Sequence, residues 1–192
     1  MTLSKIALLV LINLALPAIA ITQTNYHTQV LDIKLNGTSN LHDWEMKAVS
    51  GASAASFVVT NGKVISLSKL NFLLPVKNLK SGKSGMDNNT YKTLKTDVNP
   101  NISFVLTSAT VVSTGGNNYK LTCQGKMSIA GKTNQTELAA TGTYNPADKS
   151  FTITGLKKMK MTDYDVKPPT ALLGTIKTGN EITISYNLKF KA

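Results

Sequence analysis

This sequence predicts an all-β fold of eight or nine short antiparallel strands, arranged as a sandwich or an up-and-down barrel. Three observations lead there. Near the end of the chain Ile182, Ile184, Tyr186, Leu188 and Phe190 occupy every second position, with Thr183, Ser185, Asn187 and Lys189 between them. Period two places the apolar residues of an extended chain on one face, where a helix would scatter them. The same alternation recurs upstream at even spacing, punctuated by Gly, Asn and Pro turns, as in sandwiches and barrels. The apolar parity also flips within one strand, from Ile65 and Leu67 to Leu70, Phe72 and Leu74. That flip demands an extra residue, a β-bulge near Ser68 and Lys69, and bulges let a sheet curl.

The first twenty residues stand apart. Lys5 is their one charge, residues 6–16 are apolar apart from Asn13, and Pro17 precedes Ala18-Ile19-Ala20. A basic start, an apolar run and an A-x-A site make a secretory leader, and the run is shorter than the ~20 residues a membrane span needs. The mature domain is then residues 21–192, long enough for one core. Localisation follows as periplasmic or secreted. The single cysteine, Cys123, can form no intramolecular disulfide, so the core must supply the stability. Cys123 alternates with Tyr119, Leu121 and Met127, which favours a buried packing role over a reactive thiol. The formal charge is +11, every basic residue is lysine, and the lysines are dispersed. Nucleic-acid readers lean on arginine, so a nucleic-acid partner is not expected. The charge reads as a solvated surface with a bias toward anionic lipid or a diphosphate headgroup.

The elements follow in order. Residues 24–38 form a first strand with Leu31, Ile33 and Leu35 on one face, and residues 37–40 turn or bulge. Strand resumes at residues 41–46, with Trp44, Met46 and Ala48 sharing a face. Residues 51–56 are small, as if facing a crowded interior. Asn61-Gly62 is a hairpin signal, and Pro75 ends the return strand. Residues 76–101 are a long excursion of the kind that carries function. Within it Asp87 caps a short helix running from Asn88 to about Lys95, with Met86, Tyr91 and Leu94 at helical spacing. Turns at residues 115–118, 130–132 and 145–148 separate strands marked by Ile102, Phe104 and Leu106, by Tyr119 to Met127, by residues 137–144, and by Phe151 and Ile153. Met159 and Met161 continue the alternation between lysines.

Little here can carry catalysis. The two histidines, His27 and His42, are far apart, and a zinc site needs three or four ligands, so no metal is expected. No Gly-x-Ser-x-Gly elbow supports a triad. Residues 80–85 are glycine- and lysine-rich but lack the spacing of a phosphate loop. Two of their lysines could still meet an anionic headgroup at a barrel mouth. Met46, Met127, Met159 and Met161 suit core packing or the flexible lining of an apolar ligand site.

Taken together, the motifs resemble the YceI-like family of lipid- or polyisoprenoid-binding proteins. They are His42-Asp43-Trp44 after Gly37-Thr38-Ser39, Leu79-Lys80-Ser81-Gly82 leading to Met86-Asp87 and Tyr91-Lys92, and Pro100-Asn101-Ile102-Ser103-Phe104. Gly125-Lys126-Met127-Ser128-Ile129-Ala130-Gly131-Lys132-Thr133 stands where the family has G-x-L-T-I-x-G-x-T. Met161-Thr162-Asp163-Tyr164 with Pro168-Pro169-Thr170-Ala171 completes the set. The resemblance implies an eight-stranded antiparallel, lipocalin-like β-barrel that holds a long isoprenoid or similar amphiphile, with no cofactor. The family's arginine-aspartate-glycine stretch is replaced by Gly85-Met86-Asp87-Asn88, with Lys83 or Lys92 as candidate substitutes for the arginine.

Candidate ligand contacts on strands are His42, Trp44, Met46, Ala48, Phe104, Gly125, Met127 and Met161. From the loop and helix come Lys83, Met86 and Tyr91. Ala48, Ala52, Ala54, Gly125 and Ala140 are small, which favours a cavity over a filled core. The expected role is a periplasmic carrier or storage protein for a polyisoprenoid. The alternative is an isomerase or oxidoreductase acting on an isoprenoid or quinone-like lipid, for which the sequence offers His42, Asp43, Asp87 and Asp163. The oligomeric state, a homodimer included, is left open. N-terminal sequencing of the exported protein is expected to begin at Ile21; a mature form that retains residues 1–20 would contradict the leader.

Overall fold

The computed structural model describes residues 23–192; the expected leader and its cleavage after Ala20 lie outside them. The strands are β1 (Gln23–Ser39), β2 (Trp44–Ala48), β3 (Ala52–Thr60), β4 (Lys63–Pro75), β5 (Leu79–Lys80), β6 (Asn101–Gly115), β7 (Asn118–Ile129), β8 (Lys132–Asn145), β9 (Ser150–Lys160), β10 (Thr170–Ala171) and β11 (Ile176–Lys191). One α-helix, α1 (Ser84–Thr93), and 3-10 turns at Val76–Asn78, Met161–Tyr164 and Leu172–Gly174 complete the chain.

Eight strands close a barrel in the order β1-β3-β4-β6-β7-β8-β9-β11, and β11 pairs back to β1. Every pairing is antiparallel. Closure removes the sheet edges. β1 changes partner along its length: residues 23–27 pair with β3 and residues 34–37 with β2. β2 then pairs with β5, and β10 pairs with β11. The eight-stranded barrel is as the resemblance implied, while β2, β5 and β10 take the total beyond eight or nine.

Local sequence fixes the corners. Asn61-Gly62 and Ala130-Gly131 both hold positive φ, 52° and 73° in the first pair and 51° and 89° in the second. Positive φ at both central residues is the type I′ turn, whose twist matches the flanking strands. The expected bulge lies at Ser68: Ser56 faces Lys69 and Phe57 faces Leu67, leaving Ser68 unpaired in the ladder. The Ser68 hydroxyl donates to the Ser56 carbonyl at 3.2 Å. Further register shifts at residues 28–30 of β1 and 106–108 of β6 keep the apolar faces turned inward as the strands curl.

One end of the interior is solid. Phe57 sits among Tyr26, Phe151 and Phe190, at ring-centroid distances of 5.1, 4.7 and 6.2 Å. Tyr119 lies 5.9 Å from Phe151. All are almost fully buried, in the tilted and edge-to-face geometries that aromatic pairs prefer. Leu121 and Tyr144 complete this floor.

Several sequence expectations are corrected. Residues 41–43 are not strand; the chain bends there and β2 starts at Trp44. Met161 opens a 3-10 turn. Ala52 and Ala54 point outward, and Ser53, Ala55 and Phe57 point in. Gly125 leaves no cavity: a Cβ there would overlap the Phe104 ring and the Val105 carbonyl, so its smallness is consumed by a neighbouring ring. Replacing Gly125 by alanine should destabilise the fold by about 1–3 kcal/mol, read as a lower urea midpoint at unchanged slope. A variant with wild-type stability would contradict this packing.

Candidate functional site

Above the aromatic floor the barrel opens under a cover made from two segments, α1 and residues 161–178. The sequence of α1 is a poor helix former, with Gly85, Asn88, Asn89 and Thr90 in a ten-residue span, so tertiary anchors must hold it. The expected cap is corrected: α1 starts at Ser84, Lys83 occupies the N-cap, and no side chain caps it. Asp87, buried in the first turn, reaches back instead. Its Oδ1 accepts from the Ser81 backbone N–H at 2.8 Å and the Ser81 hydroxyl at 2.7 Å. Its Oδ2 lies 3.9 Å from the Lys80 ammonium. Burial pushes this carboxyl up, but the Ser81 hydrogen bonds and the Lys80 charge outweigh that and hold it below its ordinary value of 3.8. At the other end of α1 the Tyr91 hydroxyl accepts from Lys80 Nζ at 2.8 Å and lies 3.0 Å from both the Lys77 and Leu79 carbonyls. Thr90 Oγ1 approaches Met46 Sδ at 3.4 Å.

The second segment is pinned as firmly. Asp163 Oδ2 accepts the Lys160 N–H at 2.9 Å, closing the Met161–Tyr164 turn. The Tyr164 and Thr136 hydroxyls meet at 2.9 Å, buried. Asp165 ends the turn in a left-handed conformation, φ 55°, and its carboxylate faces Lys132 at 3.1 Å. Asn40 clamps the β10–β11 hairpin: its amide donates to the Thr175 carbonyl at 2.9 Å, and its side-chain oxygen accepts the Lys177 N–H at 2.8 Å. Asn89 donates to the Thr170 carbonyl at 3.2 Å, tying α1 to the hairpin. The hairpin tip carries Leu172 and Leu173, both exposed and both at positive φ.

Two chambers lie beneath. The outer one, about 280 Å³, is walled by residues that include Trp44, Met46, Met86, Met159, Met161 and Val166, with His42, Lys83 and Lys160 among its polar lining. The inner one, about 170 Å³, lies between the outer chamber and the aromatic floor and is lined by residues that include Ile33, Leu74, Phe104, Met127, Ile184 and Leu188. Leu35, Leu94, Ile129 and Ile182 border both chambers, so the two adjoin end to end.

The sequence-predicted contacts divide accordingly. His42, Trp44, Met46, Lys83, Met86 and Met161 line the outer chamber. Phe104 and Met127 line the inner one. Ala48, Tyr91 and Gly125 line neither: Ala48 is packed in the core, Tyr91 anchors α1, and Gly125 lies under Phe104. The sequence reading missed all four junction residues, Leu35, Leu94, Ile129 and Ile182. Ile182 and Leu35 sat on the alternating apolar faces and could have been found there. It also missed Lys157, which shares the inward parity of Met159 and lines the inner chamber.

Burial pushes the Cys123 thiol up to about 11, which is the packing role expected of it. Burial, with Cys123 nearby, pushes the Tyr186 phenol up to about 12. His42 is exposed and its Nδ1–H donates to the Asp43 carbonyl at 2.7 Å. Among the described residues, no three of His, Cys, Asp and Glu converge as metal ligands.

A closed barrel with an aromatic floor, a polar-rimmed mouth and an apolar interior belongs to the class of small β-barrels that enclose ligand space. The model of the YceI-like domain matches residues 21–190, and the chain belongs to that family. Solved structures share the fold at low identity. BcnA of Burkholderia cenocepacia has a TM-score of 0.64 at 16% identity, covering 83% of this chain and 95% of that one. A domain of Saccharophagus degradans, described as polyisoprenoid-binding and implicated in plant cell wall breakdown, has a TM-score of 0.61 at 8% identity, covering 87% and 98%. The Campylobacter jejuni YceI protein has a TM-score of 0.58 at 13% identity, covering 77% and 84%. Comparison with curated proteins finds no match.

Asp87→Ala should cost about 1 kcal/mol or more by removing the buried carboxylate that accepts both Ser81 donors. The folded carboxyl titrates below its unfolded value, so the stabilisation that depends on its charge is present above the unfolded pKa and lost as pH falls through the folded one. Urea titrations of wild type and variant should therefore differ most near neutrality and converge in acid. A gap independent of pH would contradict a charged anchor.

Proposed function

We propose that the chain binds one polyisoprenoid or similar long-chain amphiphile along the two adjoining chambers, and that it serves as an exported periplasmic carrier or storage protein. The observation that carries this reading is the junction. Leu35, Leu94, Ile129 and Ile182 border both chambers, giving an elongated apolar path from a polar-rimmed mouth toward a sealed floor. Removing about 300 Å² of apolar chain from water at about 25 cal/mol per Å² is worth roughly 7 kcal/mol before association costs, the scale of micromolar binding. Methionines at 46, 86, 127, 159 and 161 give the walls side chains that adapt to a flexible occupant. The exposed Leu172-Leu173 tip beside the mouth suits exchange with a bilayer, and the leader-like first twenty residues favour export. The binding described for the Saccharophagus degradans domain agrees.

The geometry favours binding over isomerase or oxidoreductase chemistry. Of the groups such an enzyme would use, Asp87 is turned to Ser81 and Lys80, and Asp163 closes its own turn. Asp43 lines neither chamber, and His42 stands exposed at the rim. Among the described residues, no Asp or Glu lines either chamber and His42 is the one histidine that does, so no carboxylate–histidine pair is set for proton transfer there.

The test uses a fluorescent prenol of isoprenoid length and an Ile182→Trp variant, which narrows the junction; Ala48→Phe would probe the core instead. Wild type should bind at micromolar concentration and Ile182→Trp at least tenfold more weakly, with unchanged circular dichroism. No binding by wild type at tens of micromolar (a weak-affinity limit), or equal binding by both, would overturn the reading.

A further inference from the structure

The barrel wall is not continuous. β8 and β9 pair only from Ala140↔Gly155 to Asn145↔Ser150. Beyond that, residues 132–139 still pair with β7 and residues 156–160 still pair with β11, but they do not pair with each other. The strands splay, and side chains stitch the two ends of the split. At one end the Tyr186 hydroxyl donates to the Ala139 carbonyl at 3.0 Å. It passes against Gly155, where any Cβ would collide with the phenol. At the other end the Met161–Tyr164 turn bonds to β8 through Tyr164 to Thr136 and through Asn134 to the Asp163 carbonyl.

Between these stitches lie Leu138 on β8 and Lys157 on β9. Both have inward parity, and both line the inner chamber. Among the described residues, Lys157 is the one charged side chain of that chamber's lining. It sits opposite Ile184 in the β9–β11 register and makes no hydrogen bond or ion pair with any described residue, whereas Lys132 and Lys189 each have a carboxylate partner. The chamber's walls are almost wholly apolar, so Lys157 lines it with its stem, and a lysine stem can lie along an apolar wall with its head in an opening.

We propose that Lys157 is an anion-binding site in the wall split, and that it selects single-chain amphiphiles with a carboxylate or phosphate head over their neutral counterparts. The head would rest at the split beside Lys157 while the chain runs through the inner chamber toward the outer one. This places the head at the side of the barrel, not at the mouth where Lys83 and Lys160 stand. The inference rests on the proposed binding of a long apolar chain and adds its head chemistry and its location.

Three probes of matched chain length separate the sources: a prenol, the corresponding prenyl monophosphate and a fatty acid. Wild type should prefer one or both anionic probes over the prenol by about tenfold or more, the scale of one charge-assisted hydrogen bond. Which anionic probe gains more tells phosphate from carboxylate. Lys157→Met should abolish the preference by weakening the anionic probes about tenfold relative to the prenol. Lys157→Arg should retain it, and Lys158→Met, outward on the same strand, should leave it intact. Circular dichroism and urea midpoints control for folding. If wild type binds all three probes equally, or if the preference survives in Lys157→Met or is lost only in Lys83→Met, the Lys157 site is wrong while the binding reading stands. If wild type binds none of them, both fail.

Discussion

The pairing of β11 with β1 is the constraint on which the rest of this structure depends. Antiparallel partners run from His27↔Lys191 to Ser39↔Thr178, joining the two ends of the described chain across the barrel. Without that seam the chain would be an open, strongly twisted sheet with two long edges. With it, every alternating apolar face looks into one enclosed space, and what fills that space becomes the functional question. The seam also explains why the cover works. β1 continues into Asn40 and β11 begins in the hairpin that Asn40 clamps, so closing the barrel also positions its lid.

The interior is then divided by side-chain size. Phenylalanines at 57, 151 and 190, with tyrosines at 26 and 119, fill one end, and aliphatic and thioether side chains leave space at the other. A barrel of eight strands can be filled by its own residues or can hold a ligand; this one does the first at its floor and leaves room for the second above it. Charged anchors are kept to the periphery. Asp87 and Asp165 find lysines outside the chambers, which leaves the inner walls apolar except at the split between β8 and β9.

Much of this was legible in the sequence, for reasons that can be named. Parity within a strand is a property of consecutive residues, so the flip between Leu67 and Leu70 located the Ser68 bulge, and Asn61-Gly62 located its hairpin. Properties that depend on a neighbouring strand were not legible. Gly125 looked like room for a ligand because nothing in the linear chain says that the Phe104 ring lies across it. The orientation of Ala52 and Ala54 was not legible, because a run of small residues carries no hydrophobic parity. Asp87 resembles a helix cap in sequence, yet its strongest partners are the two Ser81 donors six residues upstream. The alternation of Met159 and Met161 is unbroken on paper, although the chain turns between them. The splay of β8 from β9 left no trace at all, since each strand alternates normally and keeps its other partner.

The central claim is that the space above the aromatic floor holds a single amphiphile. Native mass spectrometry of the protein recovered under non-denaturing conditions, and again after incubation with a prenyl lipid, tests it most directly. The account predicts one lipid adduct per chain, retained at low collision energy and released as an intact lipid at higher energy. Only the bare polypeptide mass, before and after incubation, would contradict it.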